Sequence, residues 1–193
     1  KEKLFFKTGN IKDIISVIEY ADKRGKKDTK DLVQQMQFQP TKEGMRRIRS
    51  YVRNNIRYKK DPKGHERIKS PARTLAEKTG DCKSMSVLVA SILENMKQQG
   101  VRYFYRAVLF TDRYGHIYVI AVLPDGEKVI VDPVFDTFNA YDNRIIKGYD
   151  IYPDGEQKEF SSLAGKRQKN GGSLLKNIGL FVFGFVIGKK MGE

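Results

Sequence analysis

Between Cys82 and Phe135 the apolar residues keep helical spacing for one stretch and strand spacing for the next three, and that single change of period limits the folds open to the chain. Met85, Leu88, Val89, Ile92, Leu93 and Met96 recur at offsets of three and four, with Gly100 as a stop, which predicts a helix over residues 82–99. Three runs follow, VRYFYRAVLF (101–110), HIYVIAVL (116–123) and EKVIVDPVF (127–135), separated by TDRYG and PDG. Connections that short join antiparallel neighbours, so the runs predict a meander. The middle run is apolar on both faces, with Ile117, Val119 and Ala121 on one and Tyr118, Ile120 and Val122 on the other. It is therefore expected at the centre of the sheet and covered twice, once by the 82–99 helix. The fold class is α+β.

Upstream, Asn10 suits the cap of a helix with Ile11, Ile14, Ile15 and Ile18 on one face and Gly25 beyond its end, and a shorter helix follows Asp28 and Thr29. Thr41 suits the cap of a third, with Met45, Ile48, Val52 and Ile56 inward and RRIRSYVR as a charged outer face. KKDPKGHERIKSP (59–71) reads as a loop, and Ser70 with Pro71 starts a short helix through Leu75 that Gly80 stops. Residues 136–160 read as irregular and SSLAGKRQKNGGS (161–173) as a flexible basic linker. The expected division is a basic N-terminal helical region (1–44), a core (45–160), a linker (161–172) and an apolar C-terminal helix (173–190).

The net charge of +14 is concentrated at the ends: residues 1–70 hold 20 basic against 9 acidic side chains, residues 71–165 hold 11 against 13, and residues 166–193 hold 6 against 1. Clustered positive charge of this kind attracts an anionic partner, nucleic acid or lipid head groups, or simply solubilises the surface. One cysteine excludes an intramolecular disulfide, and no cysteine and histidine cluster offers a metal site, so neither metal nor cofactor is expected. A lone thiol fits a reducing compartment, a reactive role or simple burial, and the expected location is a reducing cytoplasm or a virion, in association with a membrane.

That thiol, Cys82, is either a small apolar filler of its helix or a nucleophile. Asp81 suits an N-cap, which puts Cys82 in the first turn, where open N–H groups and the positive end of the helix favour a thiolate and are placed to hold an oxyanion. Thiolate attack needs a base and proton donor. The chain has two histidines. His65 falls in the Gly- and Pro-containing basic loop, whereas His116 opens the middle strand.

Asp132 lies on the next strand, and turn length decides whether it meets His116. A two-residue turn at Asp125 and Gly126 would put Asp132 opposite Val119, on the wrong face. A three-residue loop, Pro124-Asp125-Gly126, pairs Leu123 with Glu127 and puts Asp132 opposite Tyr118, diagonal to His116 on the same face. Pro and Asp suit a type I turn and Gly126 the left-handed position of a bulged hairpin, which favours the second.

SPARTLAEKTGDCKSMSVLVASIL, then GHIYVIAV, then VIVDPVFD resembles the transglutaminase-like superfamily over about residues 45–140. The resemblance implies a papain-like α+β fold with Cys82 as nucleophile, His116 as base and Asp132 as orienting acid, acting on an amide or peptide bond through a thioester. YKKDPKGHERIKSP is similar to the segment before the cysteine in phage-encoded members. Two features depart from the family pattern: Ser84 replaces the common acidic residue two after the cysteine, and the aromatic after the strand histidine is displaced to Tyr118. The superfamily includes proteases, peptide amidases, cross-linking enzymes and inactive members. Hydrolysis is the favoured expectation, since no site for an amine acceptor is identifiable.

From Ile178 to Gly188 eleven uncharged residues are apolar all round, bounded by Lys176 and by Lys189 with Lys190. Counted from Ser173 the helix falls just short of the roughly 17 to 25 residues of a membrane span, and Gly184 and Gly188 form a GxxxG pair. Three occupations are open to it: membrane insertion, docking on a partner protein, or packing on its own domain. The leading expectation is a membrane-associated cysteine acyl-transfer enzyme tethered by residues 173–190; the alternative is a structural virion protein that joins membrane, nucleic acid or neighbouring subunits.

Overall fold

The helix with the helical stripe is the hub of the packing. It runs as α4 (Cys82–Glu94), and every residue from Cys82 to Leu93 is buried, including Ser84, Ser86 and Ser91, which lie off the stripe. The reason is that neighbours surround it. A computed structural model describes residues 5–6, 25–61, 66–111 and 115–161. In chain order these form β1 (Phe5–Phe6), α1 (25–36), α2 (Lys42–Asn55), β2 (Arg57–Tyr58), β3 (Glu66–Arg67), α3 (Pro71–Glu77), β4 (Thr79–Gly80), α4, β5 (Arg102–Phe110), β6 (Gly115–Val122), β7 (Lys128–Val131), β8 (Ile145–Ile151) and β9 (Gln157–Ser161). β1 pairs with β3 and β2 with β4 in two small ribbons, and the remaining strands form one antiparallel sheet in the order β7-β6-β5-β8-β9.

The meander is present as expected, and β6 is buried along six consecutive residues. Two expectations need correction. The centre of the sheet is β5, not β6, because residues 136–160 are not irregular throughout but supply β8 and β9 on the far side of β5. Those strands lack period-2 alternation. β8 reads IIKGYDI, and its Gly148 admits the Phe160 ring of β9, which would lie 2.6 Å from an added Cβ. Strand formation here depends on pairing with β5, including the Arg106 ion pair to Asp150 (2.6 Å), and pairing is not a local signal.

The capping signals hold. Thr41 accepts from Gly44 N, Ser70 from Arg73 N with Pro71 in the first turn, and Met45, Ile48, Val52 and Ile56 all face inward. α4 ends sooner than expected, at Glu94, and a 3-10 turn over Lys97–Gln99 carries the chain to Gly100, whose φ of 82° makes the left-handed stop.

Gly25 is not a helix stop. It is already helical, and α1 passes α4 so closely there that a Cβ on Gly25 would sit 2.1 Å from Ser91 Oγ. Nor do Asp28 and Thr29 begin a helix. The buried Thr29 hydroxyl reaches the Ser91 carbonyl (2.9 Å) across that contact, and the Asp28 carboxylate accepts from Ala72 N (3.0 Å) at the start of α3. Ser161, the first residue of the expected linker, ends β9, and the Asn10 helix, the rest of the linker and the apolar C-terminal helix lie outside the described residues.

Candidate active site

α4 delivers the thiol. Asp81 is extended (φ −88°, ψ −175°), its carboxylate accepts from Ser84 N (2.9 Å), and its carbonyl accepts from Met85 N (2.9 Å). Cys82 is thereby the first helical residue, and its own N–H is among those that intrahelical bonding leaves open. The free Cys82 side chain is 6% exposed. Beside it, buried Lys83 pairs with the Asp81 carboxylate and lies 3.9 Å from Asp61 in the 59–71 segment. Ser84 Oγ accepts from Lys69 N (3.2 Å), so the residue that departs from the family pattern ties the same segment to α4.

β6 delivers the imidazole. His116 is fully buried, with Phe110 stacked at 6.3 Å, Tyr118 at 5.6 Å and Phe135 edge-on at 4.7 Å between ring centres. The hairpin decides what it meets. Leu123 N donates to Glu127 O (2.9 Å), Gly126 N to Leu123 O (2.9 Å), and Gly126 takes φ 89°, so the loop is the three-residue form. Val122 then faces Lys128 and Val119 faces Val131, and the same register carried one residue further sets Asp132 opposite Tyr118. The Asp132 Oδ2 to His116 Nε2 distance is 2.6 Å, and Oδ1 accepts from Val134 N (2.8 Å).

An ionised carboxylate only accepts, so Nε2 carries the proton in this pair and Nδ1 is left for a second partner. Nδ1 is buried without a hydrogen bond of ordinary geometry. Burial works against the imidazolium, but the charge of Asp132, its hydrogen bond and then the neighbouring Cys82 thiol outweigh it, and the pKa of His116 is raised to about 10. The structure thus brings Cys82, His116 and Asp132 to one place. His65 lies outside the described residues.

The sequence reading missed Arg49 and Arg53. RRIRSYVR is not simply a charged outer face, because Arg49 is buried and Arg53 half-buried, and both reach the chain that follows Asp132. Their spacing of four was the available signal, since it places both on one side of α2. Among the described residues no group of three or more His, Cys, Asp or Glu side chains is placed to hold a metal ion.

A buried helix whose first residue is a cysteine, packed on an antiparallel sheet that brings a histidine from one strand beside an aspartate just past the end of the next, is the α+β core of papain-like cysteine proteins. The profile of the transglutaminase-like superfamily matches residues 30–133, and the chain belongs to that superfamily. No curated protein matches its sequence. Among solved structures, a candidate protease from Parabacteroides distasonis superposes with a TM-score of 0.55 at 13% identity, over 78% of this chain and 31% of that one. LapG of Legionella pneumophila gives a TM-score of 0.47 at 17% identity, over 73% of this chain and 84% of that one. A candidate cysteine protease from Cytophaga hutchinsonii gives 0.40 at 16%, over 62% and 40%. This chain spans less than a third of the Parabacteroides protein, and at such identities the likeness is one of fold.

Proposed function

We propose that the protein is a cysteine acyl-transfer enzyme that cleaves an amide or peptide bond. Cys82 attacks the carbonyl as a thiolate, forming a C–S bond, while first-turn amides of α4 hold the oxyanion. His116 has taken the thiol proton and gives it to the departing amine as the C–N bond breaks, leaving a thioester on Cys82. Water then attacks the thioester carbonyl as His116 accepts its proton, the C–S bond breaks to release the carboxylic acid while His116 returns the proton to the sulfur, and Asp132 keeps the imidazole oriented and its cation stabilised throughout. Hydrolysis is favoured over transfer to a second amine, because among the described residues no side-chain arrangement marks an acceptor site.

The observation that carries this reading is the 2.6 Å Asp132–His116 pair, buried next to the one thiol of the chain. Its charge arrangement raises the proton affinity of His116, as a stable partner for a thiolate requires. Profiling with an electrophilic acyl probe tests it: native protein should label and Cys82→Ala should not. Iodoacetamide modification well below pH 8 that depends on His116 agrees with the reading, whereas an inert Cys82 in folded protein favours a scaffold that keeps the fold without the chemistry.

In this reading residues 45–160 are the enzyme core and residues 173–190 its tether to a membrane or partner protein, on the strength of the uncharged run from Ile178 to Gly188. Liposome flotation with and without residues 170–193 decides the membrane case, and equal binding rejects it. An anionic partner fits Lys26, Lys27 and Lys30, which line one side of an open cleft of about 660 Å³. Binding that does not weaken with added salt would exclude it.

A further inference from the structure

The five residues from Asp132 to Asp136 form no strand or helix, and Pro133 removes one of their amide donors, yet every one of their carbonyls is occupied. Two guanidinium groups from α2 do this. Arg49 Nε donates to Asp132 O (3.0 Å), and Arg49 Nη2 reaches Phe135 O and Asp136 O. Arg53 Nη1 donates to Pro133 O (3.1 Å), Val134 O (2.9 Å) and Phe135 O (3.1 Å), and its Nη2 pairs with the Asp136 carboxylate.

Both contacts that orient His116 from this side begin in that segment. One is the Asp132 carboxylate on Nε2, and the other is the Phe135 ring, edge-on at 4.7 Å. The arrangement opposes its own electrostatics, since Arg49 is buried with Arg53 as a like-charged neighbour, and both effects disfavour its cation. A flat fork of several fixed N–H donors holds consecutive carbonyls in a way that a lysine ammonium does not.

We infer that Arg49 and Arg53 are positioning residues of the active site, a two-arginine clamp from α2 that fixes the Asp132–Asp136 chain and through it the orientation and proton affinity of His116. This inference rests on the acyl-transfer reading only for its effect on rate. Its effect on His116 stands apart from any activity.

The test uses the full chain with Arg49→Lys, which keeps the charge and loses the fork, and Arg53→Lys as a second variant should the first fail to fold. His116 ring nitrogens are followed by NMR across pH alongside acyl-probe labelling of Cys82. In folded variants the His116 midpoint should move down toward the ordinary value of about 6.5, and labelling at neutral pH should slow by about tenfold or more. Folded Arg49→Lys and Arg53→Lys proteins with an unmoved His116 titration overturn the clamp, and so does a lysine variant that behaves as native in both measurements. A native protein whose Cys82 never labels, but whose His116 midpoint still moves with Arg49→Lys, removes the enzyme reading and leaves the clamp in place.

Discussion

His116 and Asp132 are sixteen residues apart in the chain and 2.6 Å apart in space, and the length of one turn separates that contact from none at all. The Pro124-Asp125-Gly126 loop sets a register in which the two side chains leave the same face of the β6–β7 pair. One residue fewer would send the carboxylate to the opposite face.

Deleting Asp125 should therefore separate the pair while leaving much of the sheet intact. The expected outcome is a folded protein by circular dichroism whose acyl-probe labelling matches that of Asp132→Asn. Native labelling by the deletion variant would show that turn length does not set the site.

Asp132→Asn itself removes the charge that raises the proton affinity of His116 while keeping the shape. Turnover of an amide substrate should drop by about 10²- to 10⁴-fold, with Cys82 still present and the protein still folded. A loss of only a few-fold would assign Asp132 to the turn and not to the chemistry.

The raised His116 pKa has a consequence for stability with a definite sign. The groups that face the imidazole are Asp132, Cys82, Tyr118 and, more remotely, Asp142. With the folded value at about 10 and the ordinary value at 6.5, the group contributes its full stabilisation below pH 6.5 and loses it as pH rises toward 10. In a Cys82→Ala background, which removes thiol titration and the part of the rise that Cys82 supplies while leaving the larger part from Asp132, the stability advantage over the same protein carrying His116→Gln should shrink in urea melts as pH rises above 6.5. An advantage that grows with pH would reverse the assignment.

Gly25 and Ser91 define the closest approach of α1 to α4. Gly25→Ala should cost about 1 to 3 kcal/mol through overpacking, and adding Ser91→Ala should recover part of it. Additive losses in the double mutant would mean that the two positions do not touch.

Gly126 tests strain without crowding, because an added Cβ there meets nothing within 4 Å while φ stays at 89°. Gly126→Val should cost about 1 to 2 kcal/mol in urea denaturation. Labelling of the fraction that remains folded should be native, since the loop and its register are unchanged.

The most local interactions were readable from residue order. Asp81, Ser70 and Thr41 cap the helices that follow them because a side-chain oxygen and an amide three residues on are neighbours in any such turn. The stripe on α4 and the two apolar faces of β6 followed from period alone, and the Pro-Asp-Gly loop carried the register of the site. Cys82, His116 and Asp132 were each legible because their positions are fixed by a cap, a strand start and a turn.

What the tertiary structure decided was set by partners distant in sequence. β8 and β9 exist because β5 offers an edge to pair with, and a run such as IIKGYDI has no periodicity to announce it. Gly25 looked like a helix stop and is a contact surface, since whether a missing side chain ends a helix or admits a neighbour depends on what passes beside it. Arg49 and Arg53 read as solvated charges and are a clamp, because carbonyls eighty or more residues away supply their partners. Burial and long-range hydrogen bonding are properties of the assembled chain, and no window of residues contains them.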